Sequence, residues 1–232
     1  MDMSVAEEKL TEQETAAPGL LRRYFSVFFS PDQLFQGLRS QPAWGGAMLL
    51  GACLAAAGTF LLPPELMLGT IREQLLAQGQ PVPPAFSNQP GWIRYAFAVA
   101  PLISWGILMT IFSGLVMVFF AFLLGHEGTF KQYLAVVVHA HLISATATIV
   151  LLPLRIVAED AQLLLSLGSF AGFLNDGYVL NFLSYLDLFG LWSWLLVGLG
   201  VARIARKQSW WFGAVAVMGI PVTMAAVIAI FA

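Results

Sequence analysis

The chain has 232 residues, of which 59% are hydrophobic and only 10% charged, with a formal net charge of −2 and a mean hydropathy of +0.79. A soluble domain carries about 25% charged residues, so this composition points to a bilayer rather than to water. The charge balance excludes the basic face that nucleic-acid binding needs, and a single cysteine, Cys53, excludes a disulfide framework or a thiolate metal cluster.

Residues 1–19 are acidic and polar, the opposite of a signal peptide's basic start, and read as a disordered tail that is not cleaved. Residues 20–42 form a short amphipathic segment. Within it Ser30 caps a helix, Pro31 takes the first helical position and Gln33 is the box partner, while Phe29 and Leu34 are spaced for a hydrophobic staple. Leu34, Phe35 and Leu38 share one face, and Asp32, Gln36 and Arg39 the other. The preceding LLRRYFSVFF mixes arginines with aromatic rings, so the segment either lies on the cytoplasmic membrane surface or packs under a helical bundle.

Residues 43–232 form the membrane domain. A first span runs over 43–62, closed by Pro63-Pro64, and Ala47, Gly51 and Ala55 give it a small-residue stripe for close helix approach. The Pro- and Gln-rich stretch that follows holds one surface helix at about 65–77. The second span, about 97–124, carries Gly106, Thr110 and Gly114 on one stripe, and the Gly125–Gly128 turn makes it an antiparallel neighbour of the third, 132–154. Thr129 and Gln132 form a capping box at the start of the third span. Residues 163–174 are apolar but too short to cross, and are either re-entrant or interfacial. The fourth span is the uncharged run inside Ser184–Lys207, opened by a Ser184/Asp187 capping box and closed by Arg203, Arg206 and Lys207. Trp192 and Trp194 lie near its mid-depth, as packing residues. A fifth span occupies 210–231.

Charge sets the orientation of this layout, because lysine and arginine are preferentially retained in the cytoplasm. Lys9, Arg22, Arg23, Arg39, Lys131, Arg203, Arg206 and Lys207 fall on one side, against Arg72, Arg94 and Arg155 on the other. The fold expected is all-α: a polytopic bundle of five spans, N-inside and C-outside, with a short N-terminal amphipathic helix.

The order of parts resembles the Yip domain (Ypt/Rab-interacting) family of multi-pass membrane proteins, in its bacterial form. The likeness rests on Ser30-Pro31-Asp32 and Phe35 before the first span, GHEGTFKQY at 125–133, and Asp187, Phe189, Trp192 and Gly200 in the fourth span. It implies a multi-pass protein of the bacterial cytoplasmic membrane with a scaffold or membrane-organising role. The eukaryotic members' Asp-Leu-Tyr-Gly-Pro motif and long N-terminal region are absent, so GTPase binding is not implied.

Ionisable groups within a membrane are functional candidates because burying them is costly. Here they are His139, His141, Arg155 and Asp187. Two histidines two apart on a helix point about 200° apart and cannot share a metal. They are expected to bond a neighbouring helix's carbonyl. Asp187 is explained by capping and is expected to pair with Arg155 at the outer rim. His126 and Glu127 belong to a turn. No Ser-His-Asp order, P-loop or HExxH is present, so no enzyme, cofactor or metal is expected. Membrane lipids are the expected partners, with a protein partner or second copy docking through small-residue helix faces. The alternative is a small-molecule or ion transporter, whose signature would be broken helices and inward charges at mid-depth. An intramembrane metal enzyme on His139, His141 and Asp187 is a further rival.

Overall fold

The computed structural model describes residues 18–87, 91–123, 125–206 and 211–230, so the expected tail at 1–19 lies almost wholly outside the described residues. The fold is all-helical. An amphipathic hairpin, α1 (Leu20–Phe29) and α2 (Pro31–Ser40), precedes α3 (Gly45–Leu61) and α4 (Pro64–Ala77). A single turn, α5 (Pro84–Ser87), leads to α6 (Ile93–Val118), which ends in a wider π turn over Phe119–Leu123. Then come α7 (Phe130–Val150), α8 (Leu152–Val157), α9 (Tyr178–Ser184), α10 (Leu188–Ile204) and α11 (Trp211–Ile228).

Among the described residues two helices, α6 with its π turn and α7, are long and apolar enough to cross a membrane. A third candidate is α3 with α4, bent by 90° at Pro63-Pro64. The bend follows from chemistry: a proline cannot continue the hydrogen-bond ladder and pushes the residue before it out of helical geometry. Helices α10 and α11 are apolar but shorter.

The long helices alternate in direction. Arg94 near the start of α6 donates from Nε to the Phe60 carbonyl near the end of α3, and Trp105 meets Gly51 one level along. Phe112 of α6 packs on His141 of α7. Val136 of α7 meets Gly200 of α10, and Ser144 shares a 2.8 Å hydrogen bond with Ser193. Helix α10 in turn crosses α11 at Gly198 and Gly213. The bundle thus has an Arg203 end and an Asp187 end.

Helix α7 is the axis. Ala135, Val136, Val137, Val138 and Ala140 are all 0% exposed, because α1, α2, α3, α6 and α10 surround it. Close approach is achieved by small side chains, which is how helices associate when lipid is as apolar as their own surfaces. The stripe Ala47–Gly51–Ala55 is buried against α6 and α7, and a Cβ on Gly58 would stand 2.5 Å from Thr148 Oγ1. The second stripe behaves otherwise. Nothing lies within 4 Å of a Cβ built on Gly106 or Gly114, and Thr110 is exposed. Small side chains permit contact but do not choose which faces meet.

One face of the hairpin packs on the bundle, while Leu21, Phe25 and Phe29 on its other side stay exposed. Val27, Phe35 and Leu38 are at most 2% exposed, and α2 lies against α10 and α7. Pro31 occupies the first turn of α2, but the Ser30 side chain makes no capping bond. The Phe29/Leu34 staple is absent too, since Phe29 is 83% exposed while Leu34 is buried. Tertiary contacts with α7 and α10 hold this helix start in place of local caps.

Candidate functional site

The ionisable groups divide among three levels of the bundle. At mid-length of α7, His139 Nδ1 bonds the Ala135 carbonyl at 2.7 Å, and His141 Nδ1 bonds the Val137 carbonyl at 2.9 Å. A carbonyl only accepts, so Nδ1 carries the proton in each neutral ring. These bonds correct the expected interhelical role. Each ring turns back onto its own helix four residues earlier, where the acceptor stands at a fixed position whatever the neighbours do. The two rings face different surroundings. His141 lies edge-on to Phe112 and Trp194, with centroids 5.3 and 6.2 Å away. His139 is 0% exposed, its Nε2 is buried without a partner, and it lies within electrostatic reach of Arg23.

Arg23 was not singled out in the sequence. It sits on the face of α1 that carries Val27 one turn on, and it is 9% exposed. Its Nη1 donates to the Ala43 carbonyl, while burial lowers its pKa from the ordinary arginine value. The signal was available: helical periodicity puts residues 20, 23 and 27 on one stripe, so one of the paired arginines had to face inward. Next to it, Tyr24 shares a 2.9 Å hydrogen bond with Thr146 of α7.

At the Arg203 end, Asp32 of α2 pairs with Arg203 of α10. Gln132 Nε2 donates to the Arg39 carbonyl at 2.7 Å, and its Oε1 accepts from the Thr129 amide at 2.8 Å. The expected capping interaction is present and has a second use, tying α2 to the start of α7. His126 and Glu127 line a hollow of about 590 Å³ at this end, together with Arg39 and Arg206. Gly125 opens their turn at φ +62°, a left-handed conformation that glycine adopts without strain.

At the Asp187 end, Asp187 is the N-cap of α10, with Oδ2 accepting from the Gly190 amide at 2.6 Å. Ser184 is not its box partner. The hydroxyl of Ser184 donates to Leu180 in α9, because a short antiparallel pairing sets the chain between the two helices. Leu167 N bonds Leu186 O, and Leu188 N bonds Leu165 O. Residues 163–174 therefore contribute an extended piece and one 3₁₀ turn, Leu167–Phe170, at this end of the bundle, with Phe170 and Phe173 exposed.

Asp187 and Arg155 are not ion-paired, contrary to the sequence expectation. Arg155 donates from Nε to the Leu163 carbonyl and feels Asp187 only through space. Each group has a backbone partner nearer than the other's side chain. Burial raises the Asp187 pKa from the ordinary aspartate value, opposed by the Gly190 and Phe189 amides and by Arg155.

A folded-state pKa above the unfolded one means the folded chain holds the proton longer. The group's contribution to stability is then full below the ordinary aspartate range and is lost as pH rises through the raised value. Asn caps as well as Asp, whereas Ala costs about 0.5–2 kcal/mol. Asp187→Asn should thus unfold like the parent at low pH and lose this pH dependence, while Asp187→Ala is destabilised throughout. Thermal melts from below the ordinary aspartate range up to neutral pH check both.

Among the described residues, no three of His, Cys, Asp or Glu come together in an arrangement that could hold a metal ion. His139, His141 and Asp187 in particular are not gathered: the rings have different neighbours and Asp187 caps a different helix.

Comparison with known proteins adds one relative. The chain is 28% identical to "Membrane protein YknW" of Bacillus subtilis (strain 168), over 94% of this chain and 93% of that protein. That places it beside a bacterial membrane protein. No family model matches the chain, and no solved structure matches it. The end-to-end match and the apolar helices together support a membrane protein built as a helical bundle.

Proposed function

We propose that this chain is a non-enzymatic, multi-pass protein of the bacterial cytoplasmic membrane, with a Yip-type scaffold or membrane-organising role. In this reading α3, α6, α7, α10 and α11 are five crossings. The Arg203 end is cytoplasmic, by the excess of arginine and lysine on the sequence segments that meet there. The observation that carries the proposal is the interior around α7, which is closely filled by apolar side chains from Ala135 and Val136 to Phe35 and Phe120, with His139 fully buried. A transporter needs polar groups lining a path at mid-depth. Here both histidines are bonded to their own helix, His141 is flanked by Phe112 and Trp194, and the buried Arg23 donates to the Ala43 carbonyl.

The exposed stripe Gly106–Thr110–Gly114 on α6 is the small-residue face open to a second copy or a partner helix, and the remaining outer surface meets lipid. The similarity to a membrane protein of Bacillus subtilis is in keeping with this location. The test is reconstitution of the purified chain into liposomes under proton, potassium and sodium gradients. The expected result is dissipation no faster than in protein-free vesicles. Flux that is abolished by His139→Ala would overturn the scaffold reading in favour of transport.

A further inference from the structure

The flank of α10 beside the docked hairpin carries a groove of about 420 Å³ lined by Trp192, Leu195, Leu196 and Leu199, and closed at one end by Asp32 and Arg203. We propose that this groove holds one phospholipid with an ammonium-bearing, ethanolamine-type head group. Its acyl chain would lie along Trp192–Leu199 and its head against the Asp32–Arg203 pair. The inference rests on the reading of α10 as a crossing with Arg203 at the cytoplasmic face.

Three features single out this occupant. The first is length. From Trp192 to Arg203 the helix rises about 16 Å, half of the roughly 30 Å hydrocarbon core, so apolar wall gives way to charge over the depth of one leaflet. The second is shape. Leu196 is 6% exposed and forms the floor, while Trp192 and Leu195, each 39% exposed, stand as walls. Those walls are large side chains, and a second helix seats closely against small ones. A flexible acyl chain fits between large walls.

The third feature is charge. The pair presents a cation and an anion side by side, with side-chain exposures of 22% for Arg203 and 45% for Asp32. A guanidinium matches a phosphate, and the more exposed carboxylate, whose Oδ2 also accepts from Gln36 Nε2 at 2.6 Å, attracts an ammonium near it. A glycerol head group would offer the same phosphate to the arginine but set a neutral hydroxyl, in place of the ammonium, near the carboxylate.

The experiment is native mass spectrometry of the full chain, delipidated in mild detergent and titrated with phosphatidylethanolamine or phosphatidylglycerol. One tightly retained lipid per chain is expected, with the ethanolamine lipid preferred severalfold. Leu199→Trp, which fills the groove, should abolish retention. Leu108→Trp, on the exposed face of α6, should leave it intact. Asp32→Asn should shift the preference toward the glycerol lipid.

The absence of a stoichiometric lipid would overturn the proposal. So would undiminished retention in Leu199→Trp, loss of retention in both tryptophan variants alike, or equal affinity for the two head groups. Specific retention with Arg203 mapped to the outer face would keep the lipid site and overturn the orientation alone.

Discussion

Gly198→Val is expected to separate α11 from the bundle and to give the largest loss of stability of any single substitution considered. A Cβ at position 198 would stand 2.5 Å from Ala214 Cα, 2.7 Å from Ala214 N and 2.9 Å from the Gly213 carbonyl carbon. All three are backbone atoms, so no side chain can swing aside and the helices must part. Overpacking in a core that can adjust costs about 1–3 kcal/mol, and here adjustment means losing the α10–α11 contact altogether. Gly219→Val, on α11 itself but with nothing within 4 Å of its Cβ position, is the control. Thermal melts in detergent and limited proteolysis of α11 should show early unfolding and cleavage in the first variant and parent behaviour in the second.

Phe35→Ala should undock the amphipathic hairpin. Phe35 is 0% exposed and its ring packs against Gly200, where a Cβ would come within 3.1 Å of Cδ1. Emptying a buried phenylalanine site costs about 3–5 kcal/mol. The other ties of α2 are the smaller buried side chains Leu34 and Leu38, the partly exposed Asp32–Arg203 pair and the Gln132–Arg39 bond. An exposed ion pair contributes about 0–1 kcal/mol, too little to hold the helix alone. The readout is local: protease sensitivity and amide exchange should rise across residues 20–40, while α7 stays protected. Equal protection of the hairpin in variant and parent would show that the ring does not anchor it.

The two substitutions mark what could and could not be read from the amino-acid order. Apolar runs closed by Pro63-Pro64, by the Gly125 turn and by Arg203 announce the helices, because length and hydropathy are local properties. The Gly51 stripe was legible for the same reason. What the pattern lacks is the identity of the neighbour. Gly106 and Gly114 repeat the Gly51 motif yet face outward, and Ser184 has capping spacing to Asp187 yet ends the preceding helix. In the second case the Leu165–Leu188 pairing decides, and it joins residues too distant for any local signal.

The candidate site was legible as a set of residues but not as an arrangement. His139, His141, Arg155 and Asp187 were all identifiable as ionisable groups in or near apolar segments. Their bonds were not, because an i−4 carbonyl and a capped amide are available to any helix and compete with the longer-range partners that chemistry alone suggests. Arg23 was missed by treating it as one of a pair of positive charges, whereas its helical phase was the informative property.

The most direct test of the five-crossing arrangement is labelling of single cysteines with a membrane-impermeant maleimide, in a background where Cys53 is replaced by serine. Positions 40, the exposed last residue of the hairpin, and 230, exposed just past α11, are probed in right-side-out and in inverted vesicles. Five alternating crossings predict that position 40 labels only in inverted vesicles and position 230 only in right-side-out ones. Labelling of both positions from the same side would contradict them.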